Sequence, residues 1–172
     1  QPFLMGILVS VIMGIILTLP ISSAALGVIL NLNGITAGAA AVGCCCQMVG
    51  FAVASYRENK VGGLVAQGIG TSMLQIPNIW NNPLIWLPPT LTAAILGPVS
   101  TMVFKMENNS AGAGMGTSGL VGQFNAVAVM GFDALPQIVL MHFMLPAVIT
   151  LLISTWMRKK GWIKDGDMLL QK

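Results

Sequence analysis

Long apolar runs alternate with short polar clusters along the chain, and four of the runs have the composition of membrane-spanning helices. A helix needs about 20 mostly apolar residues to cross the hydrocarbon core of a bilayer. The first run reaches that length when Ile21, beyond Pro20, is included. An interfacial stretch rich in tryptophan and proline precedes the third run. The four predicted spans are residues 3–19, 35–56, 91–104 and 135–156.

Two glycine-rich segments between these spans share the five-residue pattern G-x-G-T-S, at residues 68–72 and 114–118. Each internal glycine weakens a helix by roughly 1 kcal/mol relative to alanine, so regular lipid-facing helices are not expected there. We therefore predict two re-entrant or short spanning segments that meet near the midplane of the membrane. The chain has four spans if both segments are re-entrant, and six if both cross.

Uncharged polar side chains in and around the repeats are the candidate ligand-binding groups. In apolar surroundings a hydroxyl or amide is costly unless it has a hydrogen-bond partner, and interrupted segments are typical of transporter binding sites. The same residue types also suit tight helix packing, and this alternative stays open. Together with the ionisable residues Glu107 and His142, the candidate residues are Thr71, Ser72, Gln75, Asn78, Thr117, Ser118, Gln123 and Asn125.

Three ionisable residues, in or next to the predicted spans, have separate interpretations. His142 lies inside the span, where an ionisable group is a functional candidate, although a buried neutral histidine satisfied by a neighbour fits equally well. Glu107 is either a ligand contact or an ordinary loop charge. Asp133 is expected to cap the start of the span, because an acid near a helix N-terminus is favoured by the dipole.

Composition supports a membrane protein and argues against several other classes. Of the 172 residues, 55% are apolar and only 8% are charged, whereas about a quarter are charged in soluble domains. The three cysteines are consecutive, at positions 44–46, so they point in different directions on a helix and predict small apolar packing. We find no metal-ligand cluster, phosphate-binding loop or paired nucleophile and base. The sequence predicts neither an enzyme nor a metal or other cofactor.

Positive charge is concentrated next to the ends of apolar runs. The net charge of +3 comes largely from Arg158, Lys159, Lys160 and Lys164, which follow the last span directly. This position indicates membrane topology and not nucleic-acid binding. With an even number of spans, the basic clusters place both Gln1 and the C-terminal tail in the cytoplasm, with the chain in a bacterial inner membrane. We interpret residues 1–172 as a single polytopic membrane domain of a longer chain.

Five motifs together resemble the phosphotransferase-system EIIC-like membrane family, which includes the perfringolysin O regulator. The resemblance extends from Pro2 to the basic tail and is closest to the C-terminal half of such proteins. The motifs are LPISSAA at 19–25, VGCCCQMVGFA at 42–52, GTSMLQIPN at 70–78, KMENN at 105–109 and GMGTSGLVGQ at 114–123.

The resemblance implies an all-α integral membrane protein related to sugar permeases, with four strong transmembrane helices plus the two glycine-rich segments. It implies binding or transport of a small neutral polar solute, such as a carbohydrate, or alternatively a non-transporting membrane regulator or sensor. Besides the lipid bilayer and the solute, the implied partner is a second copy of the chain. A dimer is also suggested by the small-residue face around Gly34 and Gly38.

Overall fold

The computed structural model describes residues 1–170, which form ten α-helices, short 3-10 and π-helical turns, and no β-strand. The α-helices are α1 Pro2–Thr18, α2 Ser23–Ile29, α3 Gly34–Ala54, α4 Tyr56–Val65, α5 Ile76–Asn81, α6 Leu87–Pro98, α7 Ser110–Ala113, α8 Val121–Met130, α9 Leu135–Val139 and α10 Leu145–Lys159. The π-helical turns are Ala66–Gly70, Val99–Phe104 and Leu140–Met144. The 3-10 turns are Ser72–Gln75, Pro83–Trp86, Ser118–Leu120 and Phe132–Ala134.

Helix α3 is the centre of the bundle, and every residue at positions 37–52 is buried by the rest of the chain. Its small residues let neighbouring backbones approach closely. A Cβ on Gly43 would lie 1.9 Å from the carbonyl oxygen of Ser10, and one on Gly38 would lie 1.9 Å from that of Met106. We call the two ends of the bundle the Gly34 end and the Ala54 end, after the first and last residues of α3.

Three helical stretches are long and apolar enough to cross a membrane, so the predicted count of four strong spans is not confirmed. They are Gly34–Ala54, Pro83–Phe104 and Phe132–Lys159. Helix α1 is apolar but has only 17 residues. It ends before Pro20, a residue that disfavours helical conformation in its predecessor, and Thr18 is hydrogen-bonded to Gln47, within α3. Helix α2 then returns towards the Gly34 end.

The two termini of the described chain lie at opposite ends of the bundle. Helices α1 and α6 are antiparallel, because Ser10 Oγ donates to the carbonyl of Ala93 (2.8 Å) and Thr101 Oγ1 donates to that of Pro2 (2.9 Å). Pro2 is therefore at the Gly34 end. Arg158 at the end of α10 donates to the carbonyl of Ala54 (3.1 Å), at the other end. Three crossings account for this arrangement, whereas the predicted even number of spans would return both termini to one side.

The first glycine segment is the tip of a hairpin, residues 56–82, that enters and leaves at the Ala54 end. Helix α4 forms the entering arm and α5 the returning arm, and both arms contact the C-terminal tail through Asn59 and Asn78. The tip is a π-helical turn, Ala66–Gly70, followed by extended Thr71. Pro77 occupies the first turn of α5, where a missing N–H costs little.

The second glycine segment is the tip of another hairpin, residues 110–130, that enters and leaves at the Gly34 end. Its arms are α7 and α8, and they are joined by a hydrogen bond from Asn109 Nδ2 to Asn125 Oδ1 (2.9 Å). The end of α8 lies beside the start of the hairpin, because the backbone N–H of Glu107 contacts Met130 Sδ (3.3 Å). The chain therefore contains two hairpins that enter the bundle from opposite ends.

The last span, Phe132–Lys159, contains the π-helical turn Leu140–Met144 around His142. Pro146 has no N–H to donate to the carbonyl of His142, four residues earlier, and such a gap favours a widened turn. The span starts after Gly131, which holds the capping position with a φ of 89°; Asp133 follows in the first turn, exposed. Asp133 is therefore not the capping residue, although it lies in the first turn, where the helix dipole favours an acid.

The small-residue face that suggested a dimer is used inside the chain. Gly38 packs against the backbone of Met106. Gly34 forms an antiparallel bridge with Asn108, with N–O distances of 3.0 and 3.1 Å. Gly38 is fully packed by this contact, whereas Gly34 is only partly buried and has open space beside it, so the dimer stays a prediction.

Close packing at Gly43 generates the first prediction. Gly43→Ala should lower the free energy of unfolding by about 1–3 kcal/mol, because the added methyl group collides with the Ser10 backbone. Gly62→Ala is the matched control: a Cβ there meets nothing within 4 Å, and alanine favours the helix by roughly 1 kcal/mol. Thermal unfolding in mild detergent measures both. Equal stability of the two variants would contradict the packing.

Candidate functional site

The two G-x-G-T-S segments meet tip to tip, although they lie on hairpins that enter from opposite ends. Ser118 Oγ donates to the carbonyl of Gly70 (3.0 Å), and Thr117 Oγ1 donates to the carbonyl of Gly68. Thr117 is fully buried and Ser118 is half-buried. The hydroxyls of one hairpin thus satisfy the free backbone carbonyls of the other, as backbone outside regular helix requires in an apolar bundle. We call these two hydrogen bonds the tip contact.

Glycine is required at the second tip for a local steric reason. Gly116 has a φ of 53°, in the left-handed region, and a Cβ there would lie 2.8 Å from Cys44 Cβ. The corresponding glycine of the first tip, Gly70, is in a more open position, since a Cβ there would have only the Val65 carbonyl oxygen within reach, at 4.0 Å. The two copies of the motif therefore contact each other, but only the second copy has a steric requirement for glycine at its second glycine position.

A buried polar network lies beside the first tip and centres on Gln47 of α3. Gln47 Oε1 accepts hydrogen bonds from Trp86 Nε1 (2.9 Å) and Thr18 Oγ1 (3.2 Å), and Gln47 Nε2 donates to Thr90 Oγ1 (3.1 Å). The Thr18 hydroxyl is also 2.8 Å from the hydroxyl of Ser72. Ser72 is thus tied to α1 and α3, and this network holds the first hairpin in the bundle.

His142 and Gln123 form a second buried group, next to the second tip. Gln123 Nε2 is 2.8 Å from His142 Nδ1 and 3.4 Å from Cys45 Sγ. The other amide atom, Gln123 Oε1, is buried and has no hydrogen-bond partner in the described part of the chain. A buried carbonyl without a partner is costly, so Gln123 Oε1 is a strong candidate acceptor for a ligand.

Two apolar grooves adjoin the tips, and Phe143 lines both. One has a volume of about 270 Å³ and includes Gly68 and Ile69 of the first tip. The other has a volume of about 300 Å³ and includes Leu120 and Gln123 of the second hairpin. An aromatic ring and an amide are groups that bind the apolar face and the hydroxyls of a polar solute.

Gln75 and Asn78 lie away from the tips, in an amide network that holds the C-terminal tail. Gln75 Nε2 donates to Gln67 Oε1 (2.7 Å) and to the carbonyl of Met168 (3.0 Å). Asn78 Nδ2 donates to Gln75 Oε1 (2.9 Å) and to the carbonyl of Leu169 (3.0 Å). The tail therefore covers the returning arm of the first hairpin.

The remaining candidate residues have structural contacts of their own. Thr71 Oγ1 accepts from the N–H of Met73 (3.1 Å) and so caps the next turn. Asn125 Nδ2 donates to the carbonyl of Val121 (2.8 Å). Glu107 is exposed at the Gly34 end. The structure thus brings Thr117 and Ser118 to the first tip, and distributes the other candidates among separate groups.

Sequence reasoning missed the Gln47 network and the role of the tail. Gln47 is the one amide in the 21-residue apolar helix α3, and a lone amide in such a helix is a signal of a buried polar contact. Trp86 was interpreted as an interfacial residue. The tail was considered only for its charge, although Ile163 and Met168 are buried in the core.

Residues 1–170 contain no group of three or more His, Cys, Asp or Glu side chains placed to hold a metal ion. Cys44, Cys45 and Cys46 are free and buried, in agreement with the packing role predicted for them. The polar groups at the tips are hydroxyls, amides and backbone carbonyls. Such groups exchange hydrogen bonds with a neutral solute.

Comparison with known proteins agrees with the membrane architecture. No curated protein and no solved structure matches the chain. The family described as "Phosphotransferase system, EIIC" matches residues 1–170, nearly the whole sequence. The resemblance inferred from the sequence motifs is confirmed by this match. The chain, with its apolar spanning helices and paired hairpins, belongs to the phosphotransferase system EIIC family of membrane transport proteins.

Proposed function

We propose that the chain is a permease component that binds a small neutral carbohydrate where the two hairpin tips meet. Family membership indicates a sugar-transport permease component, and the tip contact supports the location. Neither family membership nor the geometry favours the alternative of a non-transporting regulator.

The tip contact suits reversible binding of a polyhydroxy solute. The Thr117 and Ser118 hydroxyls occupy the carbonyls of Gly68 and Gly70, and a sugar hydroxyl can replace either partner with bonds of the same kind. Because similar hydrogen bonds are exchanged, each contributes only about 1 kcal/mol net, so separation of the tips is accessible. In the described structure the tips are together, and we interpret this as the closed arrangement.

Gln123 and Phe143 extend the proposed site beyond the tips. Gln123 Oε1 is free to accept a hydrogen bond from a solute, while Phe143 lies between the grooves that flank the tips. The absence of charged side chains from residues 61–104 and 108–132 favours a neutral solute, since an ion would lose its hydration without a counter-charge.

We also propose an orientation, from the distribution of basic residues. Six of the seven Lys and Arg residues within the described chain are at the Ala54 end or in the tail, and only Lys105 is at the Gly34 end. The positive-inside rule places the Ala54 end in the cytoplasm. Given the observed fold, the tail is then cytoplasmic and Gln1 is on the opposite side of a bacterial inner membrane.

Uptake into membrane vesicles tests the proposed function. Vesicles that contain the protein should accumulate at least one neutral sugar from a labelled panel. The corresponding uronic acid should compete at least tenfold more weakly, because an unpaired charge costs roughly 3 kcal/mol in such a site. Failure to take up or bind any neutral sugar, or equal competition by the acid, would remove the support for a carbohydrate permease.

Substitution of Gln123 tests the location of the site. Gln123→Met should weaken sugar binding by about fivefold to tenfold, because it removes the unpartnered acceptor Gln123 Oε1, which gains about 1 kcal/mol from the solute. It should also lower stability, because it removes the hydrogen bond between Gln123 Nε2 and His142 Nδ1. The matched control is Gln75→Met, since Gln75 lies away from the tips and its amide nitrogen is already bonded to Gln67 Oε1 and to the carbonyl of Met168. It should lower stability and leave affinity unchanged. Equilibrium binding of labelled sugar distinguishes the two; an equal loss of affinity would place the site elsewhere.

A further inference from the structure

A cleft at the Ala54 end contains more positive charge than the chain neutralises. It has a volume of about 400 Å³, and its lining includes the basic residues Arg57, Arg158, Lys159 and Lys164 together with Asp165. Among the described residues, Arg158 is the one of these cations that is paired: its guanidinium lies 2.8 Å from Glu58 Oε1 and 3.2 Å from Asp165 Oδ1. Within residues 1–170, the other three cations form no salt bridge. The cleft therefore has a net positive charge that favours the binding of an anion.

The same cleft continues into an apolar groove of about 450 Å³. The two cavities share Arg57, Thr155 and Arg158 in their linings. Away from the charges, the groove is lined by apolar side chains of α3, α4 and α10, including Leu64 and Leu151. Leu151 is 47% exposed on a membrane-spanning stretch, so the groove opens towards lipid. A ligand that fits both parts has an anionic head and an apolar chain.

Two tryptophans mark the depth of this cleft relative to the membrane. Trp156 and Trp162 pack edge to face with ring centroids 5.2 Å apart, and Lys160 Nζ lies 5.7 Å from the Trp156 ring centre. Both rings are about half exposed. Exposed tryptophans with lysine neighbours are typical of the level of the lipid headgroups. The basic cleft is thus at the depth where the phosphate of a phospholipid lies.

We propose that the cleft and groove together bind an anionic phospholipid, with its phosphate between Arg57, Lys159 and Lys164 and an acyl chain beside Leu64 and Leu151. Basic pockets between transmembrane helices on the cytoplasmic side bind such headgroups in general. An acidic protein would also be attracted by the cations, but its charged surface would not fill an apolar groove that opens to lipid. The charges and the groove together favour the lipid.

The test measures phosphatidylglycerol bound to the intact protein by native mass spectrometry, from micelles with equal amounts of phosphatidylglycerol and phosphatidylcholine. Phosphatidylglycerol should be retained preferentially. Since each cation near an anionic headgroup contributes about a fivefold effect, the double variant Arg57→Gln, Lys159→Gln should reduce retention by roughly 25-fold. Both side chains are exposed and unpaired, so the variant should fold, and thermal unfolding in phosphatidylcholine micelles verifies this.

Lys160→Gln is the matched control, because it removes one charge at the same end while Lys160 lies over Trp156, outside the cleft. It should change retention by less than about twofold, whereas either single cleft variant loses about fivefold. Leu151→Ser should also reduce retention, and an equal concentration of inorganic phosphate should not displace the lipid. The proposal is overturned if phosphatidylcholine binds equally, if Lys160→Gln has the same effect as the cleft variants, or if inorganic phosphate displaces the lipid.

Discussion

Backbone outside regular helix must find hydrogen-bond partners within the protein when it lies in an apolar bundle, and this requirement organises the structure. The two hairpin tips are not regular helix, and each supplies what the other lacks: the second provides the hydroxyls of Thr117 and Ser118, and the first provides the carbonyls of Gly68 and Gly70. Helix α3 makes the meeting possible. Its small residues allow α1 and the second tip to lie against it at backbone distance, so both hairpins are anchored to one buried helix.

The groups that close the site are the groups that a neutral polar solute can replace. The hydroxyl-to-carbonyl bonds of the tip contact resemble those that a sugar makes. Removal of one tip hydroxyl should therefore destabilise both the closed arrangement and the sugar-bound arrangement. Gln123 Oε1 differs, since it has no partner in the closed state. Affinity should therefore depend more on Gln123 than on Ser118, whereas the ease of opening should depend on the tip hydroxyls.

The repeated motif allowed the sequence to predict which segments break from regular helix, and those segments do contact each other. The apolar runs around α3, α6 and α10 were equally visible, because spanning length and absence of charge are local properties. The predicted span at α1 is not confirmed, because hydropathy cannot show that the helix ends at Thr18, which is hydrogen-bonded to Gln47 inside the bundle. Gln75 and Asn78 were chosen by their proximity to the motif, yet they bind the tail carbonyls, a contact between distant parts of the chain that no local pattern contains.

Transport through the proposed site requires the hairpin tips to separate, and a reversible cross-link between them tests this requirement most directly. Ser118 Oγ is 3.0 Å from the Gly70 carbonyl oxygen, Gly70 has space for a side chain, and native Cys44, Cys45 and Cys46 are fully buried. The double variant Gly70→Cys, Ser118→Cys should therefore form a disulfide on oxidation. Oxidised vesicles should lose sugar uptake and recover it with a reductant, while each single variant transports under both conditions. Undiminished uptake by the cross-linked protein would contradict the account.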